Sequence, residues 1–171
     1  MPSEDRLEIF QGDITTLDVD AIVNAANEQL VPGGGVCGAI HRAAGPELAR
    51  ACRALGGCPT GEARITLGFA LTARHVIHAV GPVWHGGDQG EAAALAGAYR
   101  SALDLAGERG LSSIAFPAIS TGIYGFPLDR ATGIAVAACC EHLAGERSLQ
   151  RIVFAVFGAE AEAAYRQALG R

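Results

Sequence analysis

Short apolar runs, most of them closed by glycine or Gly-Pro, alternate along this chain with longer Ala- and Leu-rich stretches. That pattern predicts strands alternating with helices. Residues 7–10 read as a first strand, stopped by a turn at Gly12-Asp13. Thr15 and Thr16 can cap a short helical turn over 15–20, and the apolar run 21–23 is a buried strand. Helical character returns over 39–44 and over Pro46–Leu55, with Pro46 at a first helical position and Gly56-Gly57 as the stop.

Residues 62–67 alternate and read as a strand, and 76–80, inside HVIHAVGP, form another that ends at Gly81-Pro82. Residues 91–109 have the length and Ala/Leu content of a helix. A strand over 113–118 runs into a second glycine loop, STGIYGFP; an Ala-rich helix covers 128–143, a nearly all-apolar strand 151–157 and a closing helix 160–169. Strands without a polar face are covered on both sides, as in a largely parallel sheet between helices. The expected fold is a three-layer α/β/α sandwich. No linker, repeat or low-complexity segment divides residues 1–171, so a single domain is expected.

Composition narrows the class. At 171 residues the chain can bury one large core, and with half its residues hydrophobic and 18% charged it reads as globular rather than disordered. The net charge is −5, from 13 Lys+Arg against 18 Asp+Glu, with no basic run. That balance argues against a grip on RNA, which rests on phosphate neutralisation by cations. It leaves room for one nucleotide held by backbone amides. The five cysteines form no CxxC pair and show no zinc-ligand spacing. Cys52, Cys58, Cys139 and Cys140 read as buried or half-buried thiols of a reducing compartment. The N-terminal MPSEDRLEIF is charged and lacks an apolar h-region, and no apolar run reaches membrane-spanning length. A cytoplasmic protein with no membrane association is expected.

Ligands of α/β sheets settle beyond the carboxyl ends of strands. Gly12-Asp13, the stretch NAANEQLVPGGGVCG and the loop STGIYG fall there in this reading. The first glycine loop carries Asn24 and Asn27 at a strand tip, then Gly33, Gly34 and Gly35, then a small-residue helix starting near Gly38. Backbone N–H groups aimed from such a loop into a helix N-terminus make an anion site without a basic side chain. Two glycine loops, each between a strand and a helix, can close on a diphosphate from opposite sides. GGGVCG satisfies GxGxxG, but roughly nine residues separate it from the strand end, whereas the dinucleotide fingerprint turns immediately. No Gly-Lys-Ser/Thr of a Walker loop occurs. Asp13 can accept from an exocyclic amine or serve as a turn carboxylate. Asn24 and Asn27 can meet sugar hydroxyls or cap the loop, and Tyr124 and Phe126 can stack on a sugar or anchor the second loop. His41, one turn into the helix, suits a structural role as well as a catalytic one, and His75, His78, His85 and His142 show no ligand spacing.

GDIT at 12–15, IVNAAN at 22–27, GGGVCGAIHRAAG at 33–45, VIHAVGPVW at 76–84 and PAISTGIYGFP at 117–127 together resemble the macro domain, and within it the MacroD-type branch of ADP-ribose hydrolases. The resemblance spans nearly the whole chain. It implies a mixed, largely parallel sheet of six or seven strands with ADP-ribose in a cleft at its top. It also implies that Asp13 binds the adenine amine with Ile14 beside it, and that Phe157 flanks the adenine. Gly33, Gly34, Gly35 and Val36 would hold the diphosphate from one side. Ser120, Thr121, Gly122, Ile123 and Tyr124 would hold it from the other, with Tyr124 against the distal ribose. Asn27 would contact that ribose and support catalysis. One position departs: the MacroD-type loop reads GGGVDG, and its aspartate is assigned to activating water, where this chain has Cys37. An ordinary thiol, with a pKa near ~8.5, is largely protonated at neutral pH. Helix N-terminal amides could make a thiolate base of Cys37, or the ligand's own phosphate could activate the water. The implied activity is hydrolysis of mono-ADP-ribose esters on acidic side chains, or deacetylation of O-acetyl-ADP-ribose, by a monomer with no metal or other cofactor. The alternative is a reader of ADP-ribose without turnover. Poly(ADP-ribose) is disfavoured by the net charge.

Overall fold

The apolar runs become six strands of one sheet: β1 (Leu7–Gln11), β2 (Ala21–Ala25), β3 (Ala63–Leu67), β4 (His75–Ala79), β5 (Ser113–Phe116) and β6 (Arg151–Val156). The structure is a computed structural model describing residues 3–145 and 148–171; Met1 and Pro2, at the head of the charged N-terminal stretch, lie outside the described residues. The strand order is β1-β6-β5-β2-β4-β3. Every neighbouring pair is parallel except β3 with β4, so the sheet is mixed and largely parallel.

Among the described residues five α-helices cover it: α1 (Gly35–Ala44), α2 (Pro46–Leu55), α3 (Glu91–Glu108), α4 (Leu128–Gly145) and α5 (Ala159–Leu169). On one face, Ile40 of α1 and Leu48 and Cys52 of α2 pack on Ile22, Val76 and Val153. On the other, α3, α4 and α5 bury Leu95, Tyr99, Ala135, Cys139 and Tyr165 against Val23, Ile77, Ile114 and Phe154. An aromatic row crosses that second core, from Tyr99 to Phe116 (centroids 5.0 Å apart), Phe154 (6.5 Å further) and Tyr165 (4.7 Å). The three-layer α/β/α sandwich is the architecture expected.

Several boundaries shift, each for a local reason. The turn after β1 is a 3₁₀ turn over Ile14–Thr16 capped by Asp13, not by a threonine; Asp13 Oδ1 accepts the Thr15 N–H at 2.9 Å. β2 extends through Asn24 and Ala25, which pair in register with His78 and Ala79 of β4. β5 stops at Phe116 because Pro117 has no N–H for the ladder. The buried Tyr99 hydroxyl then takes over, donating to the Pro117 carbonyl and accepting the Ile119 N–H, both at 3.4 Å.

On the α1/α2 face a buried polar line crosses three strands. Asn24 Nδ2 donates to His78 Nδ1 (3.1 Å), His78 Nε2 donates to Thr66 Oγ1 (3.0 Å), and Thr66 donates onward to the Leu67 carbonyl (3.0 Å). Each proton in that line has a partner only when the imidazole is neutral, with its proton on Nε2. Burial, reinforced by nearby His41, pushes His78 from 6.5 down to about 4. The folded state thus excludes a proton that the unfolded chain accepts. The stability this supplies is complete above pH 6.5 and is lost as the pH falls toward about 4, at most about 3 kcal/mol over that window. Urea unfolding between pH 7 and 4 should therefore show the stability gap between the wild type and His78→Gln narrowing as the pH falls; a constant gap would contradict this.

Candidate functional site

Because β1, β6, β5, β2 and β4 run the same way, their carboxyl ends share one edge of the sheet, and a cavity of about 380 Å³ opens there. Its floor and walls come from Gly12 and Ile14 after β1, Ala25 to Asn27 at the end of β2, Gly81 after β4, and Ala155 to Phe157 at the end of β6. Gly33 to Cys37 form one lip and Pro117 to Tyr124 the other.

The first lip is built by closing a loop on Asn27. Its Nδ2 donates to the Val31 carbonyl (2.9 Å), its Oδ1 accepts the Val31 N–H (3.1 Å), and its own carbonyl accepts from Leu30 (3.0 Å). Glu28 ties the same loop to the α2–β3 connection, accepting from the N–H and hydroxyl of Thr60. The chain then enters α1 at Gly35, four residues before the expected 39, with Gly34 as its N-cap and no side-chain capping bond. Gly35, Val36 and Cys37 are thus the first turn of a helix, whose N–H groups lack intrahelical acceptors. They line the cavity. Cys37 is 5% exposed, with Sγ 3.8 Å from the Val31 carbonyl. The helix can lie this close to its own entry loop only because residue 38 is glycine: a Cβ there would fall 2.5 Å from the Gly33 carbonyl oxygen.

The second lip is a tight, internally bonded turn. Thr121 hydroxyl donates to the Ala118 carbonyl (2.8 Å), Gly125 N–H to Gly122 (3.0 Å) and Phe126 N–H to Ser120 (2.9 Å). Ser120 is buried in the left-handed region at φ 69, a conformation unusual for a residue with a side chain. Gly81 makes room for it, since a Cβ on Gly81 would collide with Ser120 Oγ. From outside, Trp84 N–H donates to the Tyr124 carbonyl (2.8 Å), and its ring meets the buried Phe126 at 4.7 Å. At the mouth stand Ile123, 92% exposed, and Phe157, 69% exposed and one residue past the end of β6.

Four residues singled out by sequence stand off the cavity wall. Asn24 is buried on His78 and does not face the cavity, while the loop-closing role belongs to Asn27. Asp13 is exposed beside the wall residues Gly12 and Ile14, with Oδ1 engaged by Thr15. His41 is a buried residue of α1 itself, off the cavity wall, and burial lowers its pKa. Phe126 is an anchor of the second loop rather than part of the cavity. Sequence missed Ala25, Ala26, Gly81, Pro117, Ala118, Ile119, Ala155, Val156 and Ala161. Most are small or apolar residues that carry no chemical signal of their own.

Among the described residues no Asp, Glu, Lys, Arg or His lines the cavity. What this wall can offer an anion is therefore backbone N–H groups, with the partial positive charge of the α1 N-terminus behind them. Among the described residues no group of three or more His, Cys, Asp and Glu is placed to hold a metal ion, and no helix is long and apolar enough to cross a membrane.

The chain is 55% identical over 169 residues to a macro domain-containing protein of Chlorobaculum tepidum, covering 99% of this chain and 98% of that one. It is 54% identical over 166 residues to the O-acetyl-ADP-ribose deacetylase of Klebsiella pneumoniae, covering 95% of each. Among solved structures, a mutant of the Oceanobacillus iheyensis macrodomain with ADPR superposes with a TM-score of 0.92 at 42% identity, over 96% of this chain and 91% of that one. The Trypanosoma brucei macrodomain in complex with ADP-ribose superposes with a TM-score of 0.92 at 44% identity, over 96% and 69%. The model of the Macro domain matches residues 23–135, from the middle of β2 into α4, and the chain belongs to the macro domain family.

Proposed function

We propose that this protein binds ADP-ribose in the cavity and hydrolyses its esters: mono-ADP-ribose on acidic side chains, O-acetyl-ADP-ribose, or both. The observation that carries the reading is a nucleotide-sized cavity between two backbone-rich lips with no charged side chain on its wall. A diphosphate suits it, because first-turn amides and turn amides satisfy phosphate oxygens without a counter-ion. A relative named as an O-acetyl-ADP-ribose deacetylase and a neighbour bound to ADP-ribose support the same ligand.

In this reading Gly33, Gly34, Gly35 and Val36 hold the diphosphate from one side, and Ser120, Thr121, Gly122 and Ile123 from the other. Tyr124 packs on the distal ribose, and Phe157 flanks the adenine beside Ile14. Asp13 keeps Oδ2 for the exocyclic amine while Oδ1 caps its turn. Asn27 retains one Nδ2 proton and one Oδ1 lone pair beyond its Val31 bonds for the distal ribose. Water attacks the ester, the ester C–O bond breaks, and a ribose hydroxyl and a free carboxylate leave. The base that takes the water's proton is Cys37 as thiolate or a ligand phosphate oxygen. The cavity wall bears no carboxylate, and that observation favours the second reading, a binder without turnover. Positioning by the lips contributes in either case.

Single-turnover release of ADP-ribose from a substrate modified on acidic residues separates the two readings. The wild type should release ADP-ribose, Asn27→Ala about tenfold more slowly, and Cys37→Asp about 10²-fold faster, the lower range for an added general base. Release by Cys37→Asp alone, with tight binding by the wild type, would make the protein a reader. Asp13→Ala should weaken ADP-ribose by about tenfold in calorimetry, as expected for one charge-assisted hydrogen bond. Unchanged affinity would remove Asp13 from the site.

A further inference from the structure

Behind the second lip lies a carboxylate that sequence marks only as the first residue of a helix. Glu91 opens α3, is 2% exposed, and has no cationic side chain paired with it among the described residues. It is satisfied by backbone alone. Oε2 accepts the N–H groups of His85 (2.8 Å) and Gly87 (2.9 Å), and Oε1 that of Gln89 (2.6 Å). Burial acts to raise this carboxyl, but the backbone N–H bonds outweigh it and hold it at about 2, so the group is an anion throughout the neutral range.

The loop it gathers is the support of Trp84. Gly87 lies directly under the indole: a Cβ there would stand 2.8 Å from Cη2, and the backbone is in the left-handed region at φ 97. His85, the other residue bonded to Oε2, is the next residue in the chain after Trp84. The half-buried indole also meets Phe126, at 4.7 Å, and the Arg130 guanidinium, 5.0 Å from the ring centre. Its backbone N–H is the donor that fixes the Tyr124 carbonyl. A continuous set of contacts thus leads from the carboxylate through Gly87 and Trp84 to a residue of the cavity wall.

We propose that Glu91 is a positioning residue of the ligand site, setting the Trp84 platform that holds the Tyr124 turn against the distal half of the ligand. The proposal rests on the ADP-ribose reading for the identity of that ligand. It makes Glu91 a determinant of affinity that touches no ligand atom. Its effect is confined to ligands long enough to reach Tyr124.

The test uses the full chain with Glu91→Gln, and with Trp84→Phe as the variant that leaves the carboxylate intact. Two readouts are taken: affinity for ADP-ribose and for AMP, and amide hydrogen exchange over residues 121–125. Glu91→Gln should weaken ADP-ribose by about tenfold while changing AMP less than twofold, for the loss of one turn's positioning. Exchange over 121–125 should speed up, with β6 unchanged. Trp84→Phe should weaken ADP-ribose in the same selective way, and the double variant should be no weaker than the worse single one. Equal losses for both ligands, or unchanged exchange over 121–125, would overturn the positioning role. Failure of the wild type to bind ADP-ribose would overturn the ligand reading, and the exchange result would still decide whether Glu91 controls the turn.

Discussion

The N–H groups in the first turn of α1 have no acceptor in their own helix, and the site is arranged around that deficit. Supplying them with a ligand anion rather than a side-chain cap requires that Gly34 carry no capping group, that the helix begin at the cavity edge, and that its entry loop stay out of the way. Asn27 meets the last requirement by closing the loop onto Val31, and Gly38 lets the helix sit against the Gly33 carbonyl. The parallel run of β1, β6, β5 and β2 then brings the second lip to face the first. Each element answers the same shortage of hydrogen-bond partners.

Much of this was legible in the chain because glycine and apolar runs report backbone geometry directly. The strands of Ile, Val and Phe and the two glycine loops fell where the pattern put them. The start of α1 did not. Gly35, Val36, Cys37 and Gly38 have low helix propensity, and only the packing of the helix on β2 carries it four residues earlier. The two asparagines also parted in role. Spacing places Asn24 and Asn27 alike at a strand tip, but β2 runs on through Asn24, so its side chain turns to His78 in the next strand while Asn27 is left to close the loop. Glu91 carried no signal at all, since an acidic residue at the first turn of a helix is commonplace. Its importance lies in the three amides that the loop before it folds back to present.

Cys37 stands where binding and chemistry part. It occupies the first turn of α1, buried at the cavity wall beside Asn27, so it belongs to the anion cradle by position whatever its protonation state. Kinship at 54% with a protein named as a deacetylase supports an enzyme, and a wall free of carboxylates supports a slower one or a reader. The same backbone donors serve both.

A cradle of backbone amides differs from a cationic site in one measurable respect. Ion pairs with Lys or Arg weaken steeply as salt rises, while hydrogen bonds from amides in a cavity with no charged lining do not. Calorimetric titration with ADP-ribose at about 20 mM and about 500 mM salt, a range over which the screening length falls several-fold, tests this most directly. Affinity should change by less than about threefold, within the scatter of such interactions. A loss of tenfold or more at high salt, or no binding at either, would contradict it.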